Sequence, residues 1–287
     1  MKVIVNMSDG GLCNRLLPLS SCYAYSQVTG RKLLLCWEPK NVCMCPFNDL
    51  FEDQIEQIPL ADIPALPDIF VCADRAELNG HFMFDFLKQY PCNDNKWVLD
   101  PGLHNESILY YNCLPANNLP LATGFLRCLR PVRDLQAKID DLTDHLDIDS
   151  DVYGAHARLT DYGITGDRYA RQIGDLIAAD NKCRVFLCSD DPSFEQAMRS
   201  KYPTNIIIHE KAHAVEKERA GGWIRNVNRP RDSVREALVD LYLLSKTNIK
   251  IYNPSSTFVY VAQLLGGSVH QYPGCEDLES DVLFKLG

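Results

Sequence analysis

The chain has 287 residues, of which 46% are hydrophobic and 23% charged, and carries a formal net charge of -9. This length suits two compact halves that each bury a core, and the composition excludes a large disordered fraction. The acidic balance excludes the broad cationic surface that sequence-independent nucleic acid binding needs, so an anionic ligand has to be met by a local cluster.

No charged leader or cleavage-type segment precedes the first apolar run, and no run approaches the roughly 18 to 20 residues that cross a bilayer. The expectation is a soluble, cytoplasmic protein without membrane insertion. Twelve cysteines are scattered through apolar stretches, as buried thiols are. Cys43 and Cys45, beside Pro46, have neither a CxxC partner nor a nearby His, so no metal site is expected there.

Residues 2–7 alternate as a strand does, Ser8-Asp9-Gly10-Gly11 forms a turn, and residues 12–28 carry apolar positions at helical spacing until Gly30 stops them. Residues 32–37 form a continuous apolar strand of the buried parallel type. Between 38 and 118 prolines recur and apolar clusters are short, which predicts short elements with long connections. Residues 133–146 read as a helix, and the acidic segment 147–151 is expected to separate the halves. A clear rhythm follows: strand 152–158, helix 168–179, strand 184–189, helix 192–201, strand 205–209. After an irregular stretch at 210–231 come helix 233–246, strand 249–252, helix 255–265 and a short strand near 269–272. The prediction is an α/β protein with parallel sheets, divided into residues 1–145 and 146–287.

In an open parallel sheet, ligands bind beyond the carboxyl ends of the strands. Three strands of the second half end in polar clusters: His156-Ala157-Arg158-Leu159-Thr160-Asp161, Ser189-Asp190-Asp191 and Asn253-Pro254-Ser255-Ser256-Thr257. Strand alternation puts His156 and Arg158 on one face. A guanidinium presents paired donors to phosphate oxygens, although a lone Arg at a strand end also suits a structural ion pair. The third cluster opens a helix, whose free amides attract anions; Ser255 or Thr257 also suits a plain N-cap. Arg219, Arg225, Arg229 and Arg231 fall in a run without Asp or Glu, which fits either a flap over an anionic ligand or a solvated loop.

Gly10-Gly11-Leu12-Cys13-Asn14-Arg15 with Thr29-Gly30-Arg31, then the cluster from His156 to Asp161, then Phe186-Leu187-Cys188-Ser189-Asp190-Asp191, and last the segment 237–245 with Ser255-Ser256-Thr257-Phe258, resemble in order the motifs of the GT-B fucosyltransferase superfamily. That group includes the alpha-1,2-, alpha-1,6- and protein O-fucosyltransferases. The resemblance implies two Rossmann-like domains facing a cleft, and a metal-independent inverting transfer from a nucleotide sugar, usually GDP-fucose, to a hydroxyl of a glycan acceptor. It implies no cofactor beyond the donor substrate.

Carried over by motif, His156 helps with the base or ribose, Arg158 meets the β-phosphate and stabilises the departing diphosphate, Asp240 approaches the base, and Ser256 binds phosphate. Gly10, Gly11, Asn14 and Arg15 approach the sugar from the first half, while Asp190, Ser255 and Thr257 complete the donor set. Asp161 and Asp9 are the candidate general bases, because each follows a strand end or precedes a Gly-rich turn. Leu159 and Thr160 replace the Arg and Gly of the alpha-1,2 pattern, which leaves open a transfer of another sugar such as xylose or galactose from GDP or UDP. A non-catalytic nucleotide- or glycan-binding protein is the rival of another class. Asp147-Ile148-Asp149 spells a DxD motif, yet it precedes a strand inside an acidic segment and reads as a solvated loop.

Overall fold

The computed structural model describes residues 2–7, 10–40, 42–73, 82–93, 102–111, 119–159, 165–213, 216–220 and 223–267. Asp9, Asp161 and the strand expected near 269–272 lie outside the described residues. The chain divides into two compact units, one built mainly on Met1–Pro39 and Asp53–Arg130, the other on Lys40–Glu52 and Pro131–Glu276.

The first unit opens with β1 (Val3–Asn6), α1 (Leu12–Thr29) and β2 (Lys32–Leu35). It continues with β3 (Ile69–Ala73), β4 (Cys92–Asn93), β5 (Ser107–Tyr111) and α2 (Leu119–Cys128). The five strands form one sheet in the order β2-β1-β5-β3-β4, every neighbouring pair parallel. A parallel sheet is covered on both faces, and alternate residues serve alternate cores. Val3, Val5, Leu109 and Tyr111 pack with Val71 and Leu34 on one side, whereas Ile4, Ile108 and Tyr110 pack with Cys22 and Tyr25 on the other. Three of these strands come from the proline-rich stretch that the sequence leaves without clear periodicity. They run for only two to five residues, too short for a period to stand out.

The second unit contains α3 (Arg133–His145), β6 (Tyr153–Ala157), α4 (Gly166–Ala179), β7 (Val185–Ser189), α5 (Pro192–Lys201) and β8 (Ile206–Ile207). Then come β9 (Glu216–Ala220), β10 (Trp223–Asn228), α6 (Arg231–Ser245), β11 (Asn248–Ile251) and α7 (Thr257–Gly266). Its main sheet runs β11-β6-β7-β8, again all parallel. Ala155, Ala157, Val185 and Leu187 face α4 through Tyr169, Ile173 and Ile177. The alternate residues Gly154 and His156 therefore face the other side. The stretch expected to be irregular holds an antiparallel hairpin, β9 with β10, in which Trp223 stands opposite Ala220.

The division between units differs from the expected one at 145/146. Helix α3 belongs to the second unit, and the acidic segment after it is no linker. Arg184 Nη1 donates to Asp147 O (3.0 Å) and Asp147 Oδ2 (2.7 Å), its Nη2 donates to Leu146 O, and Asp149 Oδ1 accepts the Asp151 amide at 2.8 Å. Those carboxylates close the turn after a helix. Residues 40–52 also join the second unit: Met44 N donates to Arg229 O, Val132 N donates to Leu50 O, and Arg231 Nε meets Asp49 Oδ2 at 2.5 Å.

The ten cysteines among the described residues are thiols, and eight of them are buried. Among the described residues, no helix is long and apolar enough to cross a membrane.

Helices α6 and α7 approach so closely that a Cβ on Gly266 would lie 2.2 Å from the Ser245 carbonyl oxygen. Backbone must then move, so Gly266→Ala is expected to cost about 1 to 3 kcal/mol and to lower the melting temperature by several degrees. A calorimetric melt of the two proteins under one set of conditions measures it, and an unchanged midpoint would contradict the packing described.

Candidate functional site

At the carboxyl end of β6, His156 is 5% exposed and its ring stacks on Phe258 of α7, with centroids 4.8 Å apart and planes 13° apart. Its Nδ1 lies 3.5 Å from Ser256 Oγ. Burial, reinforced by the nearby Arg158 charge, lowers the His156 pKa to about 4, so the ring is neutral near pH 7. Arg158 stands one residue past the strand, half-buried, with Nε 3.6 Å from Asp190 Oδ2. Asp190 Oδ1 accepts the Leu159 amide at 2.9 Å. One carboxylate thus steers both the guanidinium and the backbone that carries it.

The end of β7 is tied down by its own polar groups. Ser189 Oγ donates to Ala157 O at 2.7 Å, and Glu195 Oε1 accepts the Ser189 amide at 2.7 Å. Asp191 caps α5 by accepting the amides of Ser193 and Phe194. At the start of α7, Ser256 is the N-cap and accepts from Val259 N, while Asn253 holds the turn by accepting the amides of Ser255 and Ser256. The cap thus falls on Ser256 rather than on Ser255 or Thr257, the two cap candidates of the sequence, and it lies 3.5 Å from the histidine of the first cluster.

His156, Arg158, Asp190 and Asp240 line one hollow in the second unit, together with Lys211, Arg229 and Phe258. Ser256 is buried and, like its neighbours Ser255 and Thr257, is not among the residues that line the hollow. Of the arginine run, Arg229 reaches the hollow, whereas Arg231 pairs with Asp49.

A buried charge cluster forms the floor. Asp240 Oδ1 is 2.8 Å from His209 Nδ1, and its Oδ2 is 2.7 Å from Lys211 Nζ. Lys211 Nζ also meets Glu195 Oε1 at 2.6 Å, and His209 Nε2 meets Glu236 Oε2 at 2.9 Å. Burial opposes the Asp240 charge, but Lys211 and His209 outweigh it and bring its pKa to about 2. Burial likewise opposes charge on His209, and the hydrogen bonds to Asp240 and Glu236 outweigh it, raising the pKa to about 9. The lysine is pushed further up by Asp240 and Glu195 against the pull of burial. Glu195 shifts upward, because its own desolvation exceeds what Lys211 returns. His209, Lys211 and Glu195 were not singled out from the sequence, where each is an isolated residue near a short strand or helix start.

In the first unit, Gly10 has φ +90°, a left-handed conformation that favours glycine, and a Cβ there would also sit 3.1 Å from Asn14 Nδ2. Gly11 is the N-cap of α1. Arg15 is 1% exposed; its Nε donates to Gly10 O at 2.9 Å, its Nη1 donates to Glu38 O at 2.8 Å, and its guanidinium lies over the Trp37 ring. This geometry gives Arg15 a positioning role in the Gly10-Gly11 turn.

Each of the two α/β units is built on a parallel sheet, as expected of a GT-B-like fold. Among solved structures, the chain is similar to the NodZ alpha-1,6-fucosyltransferase from Bradyrhizobium co-crystallised with GDP: TM-score 0.62, 18% identity, covering 92% of this chain and 93% of that one. It is similar to POFUT1 in complex with GDP-fucose (TM-score 0.54, 10% identity, 95% of each chain). A third similar structure is an Arabidopsis thaliana FUT1 variant in complex with GDP (TM-score 0.53, 17% identity, 93% of this chain and 68% of that one). No family model matches the chain. The fold is that of the fucosyltransferases.

The two buried histidines give stability a maximum between acid and alkaline limits. Held charged, His209 stabilises the fold fully below its ordinary pKa of 6.5, and that contribution fades as pH rises through about 9. His156 is held neutral, so the unfolded chain takes up its proton near 6.5 while the folded chain resists until about 4, and stability falls as pH drops across that window. Melting temperatures from pH 4 to 10 are expected to peak near neutrality. His209→Gln should flatten the alkaline arm and His156→Gln the acid arm; arms that keep their slopes in these variants would refute the assignment.

Proposed function

We propose that the chain is a glycosyltransferase that binds a GDP-sugar, most specifically GDP-fucose, in the hollow of the second unit and transfers the sugar to a hydroxyl of a glycan acceptor. The observation that carries this reading is the meeting of Arg158, His156 and the N-terminus of α7 at the carboxyl end of the sheet, with the anionic acceptor Asp240 in the same hollow. The GDP and GDP-fucose named for the similar structures support this choice of donor.

In the proposed reaction the acceptor oxygen forms a bond to the anomeric carbon as the bond from that carbon to the β-phosphate oxygen breaks. The electron pair leaves on the diphosphate, and the anomeric configuration inverts. Arg158 meets the growing negative charge, a role for which a fixed guanidinium is suited because its donors are in place before the charge develops. Asp190 keeps it there. The positive end of α7, which begins at Thr257 behind the Ser256 cap, adds a second anion-attracting element. Neutral His156, stacked on Phe258, borders the base or ribose without adding charge. The acceptor's proton goes to a carboxylate, for which Asp161 and Asp9 are the candidates. Gly10, Gly11 and Asn14 are assigned to the sugar side, and Arg15 shapes their turn. On this reading cationic side chains and amides do the work that a divalent ion does in metal-dependent transferases.

A panel of GDP, UDP, CMP and their sugars tests the donor by thermal shift, since a ligand bound to the folded state alone raises the melting temperature. GDP and GDP-fucose are expected to raise it, with UDP and CMP far weaker; a shift by UDP alone would remove the GDP assignment. For the chemistry, Arg158→Ala is expected to lower turnover by about a hundredfold or more, with wild-type turnover persisting in EDTA. Undiminished turnover in the variant, or strict dependence on added manganese, would remove the mechanism.

A further inference from the structure

Lys211 follows β8 with its side chain 5% exposed, and its ammonium joins Glu195 of α5 to Asp240 of α6 at 2.6 and 2.7 Å. The Glu195 oxygen it meets also accepts the amide of Ser189, the last residue of β7. One side chain thereby links the end of β7, the start of α5 and the middle of α6. A compact ammonium with three donors suits a bridge between two carboxylates. His209 holds the other oxygen of Asp240 at 2.8 Å, so rotation of the carboxylate breaks a charged hydrogen bond in either direction. Each Asp240 oxygen retains a further lone pair, and Asp240 lines the hollow.

A buried ion-pair cluster is a weak source of stability, because desolvation offsets most of the attraction, and in some proteins what it gives instead is a fixed geometry. Guanine presents N1–H and an exocyclic amino group side by side, two donors that a carboxylate accepts in parallel. Uracil presents one N–H between two carbonyls, which a fixed carboxylate repels. We propose that Lys211, aided by His209, is the positioning residue that fixes the Asp240 carboxylate as an oriented acceptor for the donor's base and so sets the preference for guanine over uracil. This rests on the nucleotide-sugar reading above and adds to it the residue on which base selectivity depends.

Calorimetric titration of the full chain with GDP and with UDP, well below the melting temperature, tests the proposal. Lys211→Met is expected to weaken GDP binding by about tenfold or more and UDP binding by less than about threefold, so that selectivity collapses. Lys211→Arg, which can still span two carboxylates, is expected to restore most of it. Ile173→Ala supplies the comparison, since Ile173 is fully buried in the core under the sheet; it should lose stability and keep GDP affinity. Wild-type affinity and selectivity in Lys211→Met, or an equal loss in Ile173→Ala, overturns the proposal.

If Lys211→Met fails to fold, Glu195→Gln carries the test, because it keeps the side-chain shape and still accepts the Ser189 amide. There a weakening of about threefold is expected, and unchanged GDP binding overturns the proposal. A wild-type protein that binds no GDP removes the nucleotide reading and this proposal together. GDP binding that is indifferent to both variants removes this proposal alone.

Discussion

Asp240, Lys211, Glu195 and His209 are ionisable side chains with almost no contact with water. Charges in such a place are tolerated only when each meets an opposite charge and its hydrogen bonds are filled. Every one of the four meets an opposite charge from a different part of the chain, at 2.6 to 2.9 Å. The second unit cannot shift α6 against β7, or the segment after β8 against α5, without leaving a charge buried and unmatched. That constraint makes the floor of the hollow rigid, and the polar groups above it inherit their positions.

Helix α6 is the beam on which this arrangement rests. It carries Glu236 and Asp240 on the buried side, while Lys138 of α3 ties Glu236 from outside at 2.6 Å. Near its start, Arg231 and Arg235 grip Asp49 in the 40–52 segment, and Arg235 also meets Asp134 of α3. The segment that departs from the first stretch of chain to join the second unit thus acts as a strap on the helix that floors the site. Arg229, two residues before α6, lines the hollow and is anchored through its carbonyl to Met44 of the same strap.

The clusters at strand ends were readable in the sequence because they interrupt a strong rhythm: apolar strands of the second unit end abruptly in His156 to Arg158 and in Ser189 to Asp191. The partners beneath them were not. Lys211 and His209 follow a strand of only two residues, and nothing local marks them as buried. Asp147 and Asp149 show the opposite case, a motif-like spelling whose carboxylates close a turn. The hairpin of β9 and β10 had a cue in the Gly221-Gly222 pair, but the charged run Glu216–Ala220 before it has the composition of a loop.

The sequence by itself determined the alternation of strands and helices, the parallel character of the sheets, and the residues that end the strands of the second unit. Those follow from periodicity and from side-chain chemistry, which act over a few neighbouring residues. Only the tertiary structure decided that residues 40–52 leave the first unit, that α3 belongs to the second, and that His209, Lys211 and Glu195 close around Asp240. Each of these depends on charges and backbone groups many residues apart finding one another out of water, and pairing of that kind leaves no periodic trace in a single chain.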